Sequence, residues 1–131
     1  MISSIDHGLM VLLGAGDGDS EKDAEFLMRK VCGMRIFSDA EGKMNFSVRD
    51  VQGGILLISQ FTLYGEAKKG NRPSFIRAME PVRAKELYEY AASLIEKEGI
   101  PVGMGVFGAD MKIDMLCDGP VTILLDTDQD K

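Results

Sequence analysis

The sequence predicts an α+β fold, a strand-rich, barrel-like sheet accompanied by two helices. Three observations predict it. Short apolar runs bounded by Gly- and Asp-rich turns recur along the chain, two longer segments repeat apolar residues at helical spacing, and those helices fall between groups of strands. With 131 residues, 45% of them apolar and 27% charged, the chain can bury one small core. No repeat, low-complexity tract or linker interrupts it, so a single domain over residues 1–131 is expected.

Gly8 to Leu13 reads as a buried strand, closed by the turn cluster Gly14-Ala15-Gly16-Asp17-Gly18. Ser20 followed by Asp23 suits a helix N-terminus, because the Ser20 hydroxyl can accept an orphan N–H of the first turn. Ala24, Leu27, Met28 and Val31 then recur on one helical face, and Gly33 suits a left-handed exit. Met34 to Phe37 and Met44 to Val48 read as short strands about the turn Ser38 to Gly42. Ile55 to Tyr64 is the strongest strand, apolar enough to be covered on both faces. Pro81 suits the first turn of a second helix, whose stripe Ala84, Leu87, Tyr88, Ala91, Leu94 and Ile95 ends at Gly99. Met104 to Phe107, Met111 to Cys117 and Val121 to Asp126 read as closing strands, making six or seven in all.

Several chemistries are excluded. The single histidine, His7, follows no pattern that would make a Ser-His-Asp triad, and beside a glycine it reads as a surface turn residue. There is no P-loop, GxSxG or HExxH, and no glycine-rich strand-to-helix loop of a doubly wound nucleotide fold. Cys32 and Cys117 lie far apart without metal-ligand spacing, so neither a metal nor another cofactor is expected, and a reducing cytoplasm is the expected home. No run of 18 apolar residues occurs, and Met1 to Asp6 lacks the features of a signal peptide. No membrane partner is therefore expected.

The net charge of −6 argues against a general nucleic-acid coat protein. Its distribution is uneven. From Ala67 to Lys85 six cations (Lys68, Lys69, Arg72, Arg77, Arg83, Lys85) face one anion, Glu80. Charge alone allows either a solvated loop or a local phosphate-binding patch.

Five stretches, in order, resemble the D-aminoacyl-tRNA deacylase family. They are Arg35 to Asn45, Ser59-Gln60-Phe61-Thr62-Leu63, Lys69 to Phe75, Phe107 to Met111, and Asp118-Gly119-Pro120-Val121-Thr122. The likeness runs nearly from Gly8 to Asp126, and the order and spacing carry more weight than any one pentapeptide. It implies a homodimeric enzyme acting on the aminoacylated 3′ end of tRNA, hydrolysing the ester of a wrong-handed amino acid for chiral proofreading. Each active site would use the Gly119-Pro120 element of the opposite subunit, with a cis peptide bond although only about 5–6% of X-Pro bonds are cis. Its backbone carbonyls would exclude an L side chain, while glycine, lacking one, would enter, so glycyl-tRNA is an expected side substrate.

The resemblance also distributes roles. Ser59 and Gln60 would hold the terminal adenosine, and the N–H groups of Phe61 and Thr62 would support the oxyanion. The ribose 2′-OH would help activate water, since without a nearby imidazole the Thr62 hydroxyl is a poor nucleophile. Phe107 and Met111 would wall the pocket, and Lys68, Lys69 and Arg72 would contact acceptor phosphates. Strand alternation puts Ser59 and Phe61 on one face and Gln60 and Thr62 on the other, so the strand must end or bend, with Gly65 the expected place.

Two departures from the family pattern stand out. Cys117 occupies a position where the family has Asn. The strand and hairpin that precede the family's equivalent of Ile2 to Gly8, with an arginine that orients the Gly-Pro element, are absent, so the domain is expected to be N-terminally shortened and to leave a sheet edge open. These departures keep an alternative in view: a non-catalytic member of the fold that binds RNA ends or a partner protein.

Overall fold

The structure is a computed structural model and describes residues 1–130; Lys131, the last residue of the expected domain, lies outside the described residues. Five strands are present among them: β1 (Gly8–Leu13), β2 (Phe37–Ser38), β3 (Met44–Phe46), β4 (Gly54–Ser59) and β5 (Val102–Met104). The helices are α1 (Glu21–Gly33), α2 (Pro81–Lys97) and a short α3 (Thr127–Asp130), with a 3-10 turn over Phe61–Tyr64.

β4 is the centre of a three-stranded sheet in the order β1-β4-β5, and both pairings are parallel. Parallel neighbours need crossovers, which α1 with the β2-β3 ribbon supplies between β1 and β4, and α2 between β4 and β5. The central position explains the composition of β4: Ile55, Leu57 and Ile58 are buried, as the sequence leads one to expect of a strand covered on both faces. Met28, Val31 and Cys32 of α1 meet Tyr88, Ala91, Ala92 and Ile95 of α2 over Ile55 and Leu57, and this is the main core.

Local chemistry sets the helix ends. At α1 the N-cap is Ser20, whose N–H is accepted by the Asp23 carboxylate at 2.9 Å, and at α2 it is Glu80, whose carboxylate accepts Val82 and Arg83 N–H at 3.0 and 2.8 Å. Pro81 opens α2 as expected, and Gly99, at φ +79°, follows its end.

Several expectations need correction. The sheet is an open one whose edges are β1 and β5, with a separate two-stranded ribbon, so it is not barrel-like. α3 is a helix beyond the two expected. Gly33 is the last helical residue rather than a left-handed exit; Met34 leaves directly into extended backbone, its N–H bonded to Lys30 C=O at 2.8 Å. β2 begins only at Phe37, and β3 stops at Phe46, after which buried Ser47 and Val48 enter a turn where the Ser47 N–H is held by Asp50 at 2.9 Å. β5 lies earlier than expected, ending at Met104. The segments Met111 to Cys117 and Val121 to Asp126 are not strands. Their alternation suits a half-buried pleat, but a strand exists only where a neighbour takes its N–H and C=O groups, and most of this stretch is exposed instead.

Candidate active site

The central strand ends at Ser59, and the chain turns at once. Gln60 gives its N–H to Leu13 C=O at 2.8 Å, the last bond to β1, and then precedes the 3-10 turn. The alternation problem at Ser59 to Thr62 is therefore solved here rather than at Gly65. Leu63 N–H is the first in the turn to bond back, to Gln60 C=O at 3.3 Å. The amides of Phe61 and Thr62 precede it, and a helical first turn offers them no acceptor of its own. The Gln60 side-chain amide donates to the Thr62 hydroxyl oxygen, which fixes both side chains at the strand end.

This turn packs against the glycines after β1. A Cβ on Gly16 would stand 2.7 Å from the Tyr64 ring, and one on Gly14 would stand 3.1 Å from Gln60 C=O. The two glycines thus admit Tyr64, whose hydroxyl is pushed up to about 12 by burial and then by the carboxylates of Asp19, Asp126 and Asp128. The Arg77 guanidinium lies 5.9 Å from the centre of that ring and pairs with Glu66 at 3.2 Å.

Ser59 lines a hollow of about 20 Å³ with Leu13, Asp19, Asp23, Leu87 and Tyr88, between the sheet and the helices. That space fits a water molecule and not a nucleoside. Beyond it, on the open side of the turn, Phe61 and Thr62 are exposed.

The basic loop is rooted beside the turn. Glu66 and Ser74 exchange both backbone hydrogen bonds at 2.8 Å, closing a loop that carries Lys68, Lys69 and Arg72, all exposed. Phe75 follows the root and packs its ring on Phe61, 5.0 Å between centroids. Of the six cations counted in the sequence, Arg77 is paired with Glu66, and the one anion, Glu80, is used as the α2 cap.

Phe107 is half-buried, packed against the main core with its ring 6.1 Å from that of Tyr88, so part of its surface is ordinary core. Met111 is also half-buried; its Sδ stands 2.5 Å from where a Cβ on Gly105 would be. Gly119-Pro120 is a cis peptide, with Gly119 at φ +122°, in an exposed stretch of chain. The nearest neighbours of a Cβ placed on Gly119 all belong to Val121 of the same loop.

His7 is no part of this site. It sits before Gly8, which pairs with Gly54 at the start of β4, while Ser59 ends it, a separation of roughly 16 Å at strand rise. Its ring rests edge-on against Phe37.

The chain from residue 1 to 126 matches the family model described as D-Tyr-tRNA(Tyr) deacylase. The chain belongs to that family. It is 52% identical over 126 residues to the D-aminoacyl-tRNA deacylase of Myxococcus xanthus, covering 96% of this chain and 82% of that one. It is 54% identical over 124 residues to the D-aminoacyl-tRNA deacylase of Koribacter versatilis, covering 95% and 83%. Among solved structures, one described as c-Myc DNA Unwinding Element Binding Protein superposes with a TM-score of 0.89 at 40% identity, over 96% of this chain and 86% of the other. The family resemblance read from the sequence, and with it the assignment as a D-aminoacyl-tRNA deacylase, is borne out. No helix among the described residues is long and apolar enough to cross a membrane.

Sequence reasoning missed four residues that shape this strand end. Gly14 and Gly16 read only as turn formers, Phe75 as one residue of a family segment, and Tyr88 as one member of an apolar stripe. Tyr88 left a usable signal: a tyrosine on a buried stripe needs a polar partner for its hydroxyl.

Proposed function

We propose that this chain hydrolyses the ester joining a D-amino acid to the 3′ end of tRNA, and that it does so with backbone groups at the end of β4. The observation that carries the reading is the turn at Gln60, which places the Phe61 and Thr62 amides foremost at an open strand end. Such amides can receive the negative charge that develops on the carbonyl oxygen. Water adds to the carbonyl carbon, the bond to the ribose oxygen breaks, and that oxygen takes the proton. The neighbouring ribose 2′-OH orients and activates the water. Thr62 is held by Gln60 and has no imidazole beside it, so its hydroxyl is not the nucleophile.

Ser59 and Gln60 hold the terminal adenosine, Phe107 and Met111 wall the pocket, and Lys68, Lys69 and Arg72 approach the acceptor phosphates. The enzyme acts as a homodimer in the cytoplasm, where Gly119 and Pro120 of the partner subunit turn backbone carbonyls towards the acyl α-carbon and leave no room for an L side chain. Two features support this. Gly119-Pro120 is exposed rather than docked on its own chain, and it lies among exposed apolar residues, Leu116 at 93% and Leu124 at 82% exposure among them, of the kind that mark an interaction surface. Because L residues are kept out by a steric block, glycyl-tRNA enters as a slow side substrate.

The test is deacylation of D-tyrosyl-tRNA beside L-tyrosyl-tRNA, with the oligomeric state measured in the same buffer. Hydrolysis of the D form alone by a dimer is expected. Equal rates on both forms, or strict selectivity from a monomer, would overturn the reading. Binding of an acceptor-end mimic without turnover would favour a non-catalytic RNA-end binder.

A further inference from the structure

We infer that Tyr88 is a positioning residue of the deacylation site, its hydroxyl setting the spacing between the end of β4 and the chain leaving β5. The inference rests on the reading that Ser59, Gln60 and Phe107 form the acyl-adenosine pocket.

The register of the sheet shows what is unusual. β4 and β5 pair as Ile55 with Val102 and Leu57 with Met104, and Ile55 N–H bonds to Pro101 C=O at 2.9 Å. Continued one step, the parallel pattern aims the Gly105 N–H at Leu57 C=O. The Tyr88 hydroxyl is inserted into that rung: it accepts from Gly105 N–H at 3.2 Å and donates to Leu57 C=O at 2.6 Å. Tyr88 is only 4% exposed, so no solvent competes for these bonds. The backbone alone therefore does not set how β4 and β5 part.

The two partners each stand two residues before a residue of that pocket. Leu57 is two residues ahead of Ser59, and Gly105 is two ahead of Phe107, whose ring also neighbours that of Tyr88. Gly105 is the point that Met111 Sδ and Ile58 Cδ1 approach, 2.5 and 3.2 Å from where a Cβ would stand. One hydroxyl on α2 thus joins the adenosine-binding segment to both hydrophobic walls. A fixed spacing matters here because the substrate must meet both segments at once.

Tyr88→Phe keeps the ring and removes the insertion. In the full chain, steady-state deacylation of D-tyrosyl-tRNA should show KM raised about tenfold and kcat within about threefold, as for an interaction used to shape binding. Tyr90→Phe is the control. Its hydroxyl donates to Glu25 on the outer side of the α1–α2 pair, so it should lower Tm without moving KM. Should Tyr88→Phe lower Tm and leave KM within twofold, the residue is structural only and the inference fails. If that variant does not fold, hydrogen exchange of the Gly105 amide in the unaltered protein decides. An adenosine carrying D-tyrosine in amide linkage should slow its exchange severalfold; unchanged exchange overturns the inference. Gln60→Ala and Phe107→Ala, assayed alongside, separate the two levels. If they raise KM and Tyr88→Phe does not, only the positioning role falls. If they also leave KM unchanged, the pocket reading itself fails.

Discussion

Phe61 and Phe75 pack ring against ring, 5.0 Å between centroids and 67° between planes, in the edge-to-face arrangement aromatic pairs favour. One ring belongs to the turn that bears the candidate oxyanion amides. The other stands immediately after the root of the loop that carries Lys68, Lys69 and Arg72. The contact couples the place where the ester would react to the place where the RNA backbone would be gripped. A Cβ on Gly65 would stand 2.9 Å from the Phe75 ring, so the close approach also depends on glycine there.

Neutralising the loop should therefore change binding and its salt dependence more than chemistry. For Lys68, Lys69 and Arg72 replaced together by Ala, KM for D-tyrosyl-tRNA should rise and kcat should hold. The slope of log KM against log salt should flatten by about 2, since each single-strand phosphate contact contributes about 0.7. Kinetics at four or five salt concentrations measure this, and an unchanged slope removes the loop from the RNA contact.

Thr62→Ala should keep substantial activity, with kcat falling less than about tenfold, because the amide at position 62 survives the substitution while the hydroxyl is only a partner of Gln60. Single-turnover rates decide the point. A loss as deep as that of a deleted catalytic nucleophile would give the hydroxyl a chemical role.

Gly8→Ala should be among the most damaging single methyl additions in this chain. Gly8 has φ +153°, and its Cβ would fall 1.8 Å from Gly54 C=O, a backbone atom with no rotamer by which to retreat. The first rung of the β1-β4 pairing must shift, at a cost of about 2 kcal/mol or more. Urea unfolding measures it; a change under about 0.5 kcal/mol would mean that the strand ends adjust freely.

Alkaline pH should destabilise the fold through Tyr64. Its hydroxyl is held at about 12 in the folded chain against 10.0 for the ordinary group. The unfolded chain thus releases this proton first, and the stabilisation, complete below pH 10, is lost as pH rises through 12. Thermal melts from pH 8 to 12 should show Tyr64→Phe less sensitive in that window than the unaltered chain. Identical pH profiles would mean that the shift is not expressed.

How much of this was legible in the sequence can be judged element by element. The 3.6-residue stripes of α1 and α2, the Pro81 start and the apolar density of β4 are local signals, because each comes from side chains a few residues apart meeting the same core. The ordered segments around Ser59 and Gly119 likewise carry the family resemblance in the sequence itself.

The sequence by itself determined the α+β composition, the two long helices, the buried central strand and the kind of enzyme. Tertiary structure alone decided that the sheet is open, that β4 stops at Ser59, that residues 111–117 make no strand, and that a hydroxyl on α2 enters the β4-β5 ladder. The physical reason is that a helix satisfies its own backbone, whereas a strand exists only where another segment arrives to take its hydrogen bonds, and periodicity along one stretch carries no record of which neighbour that will be.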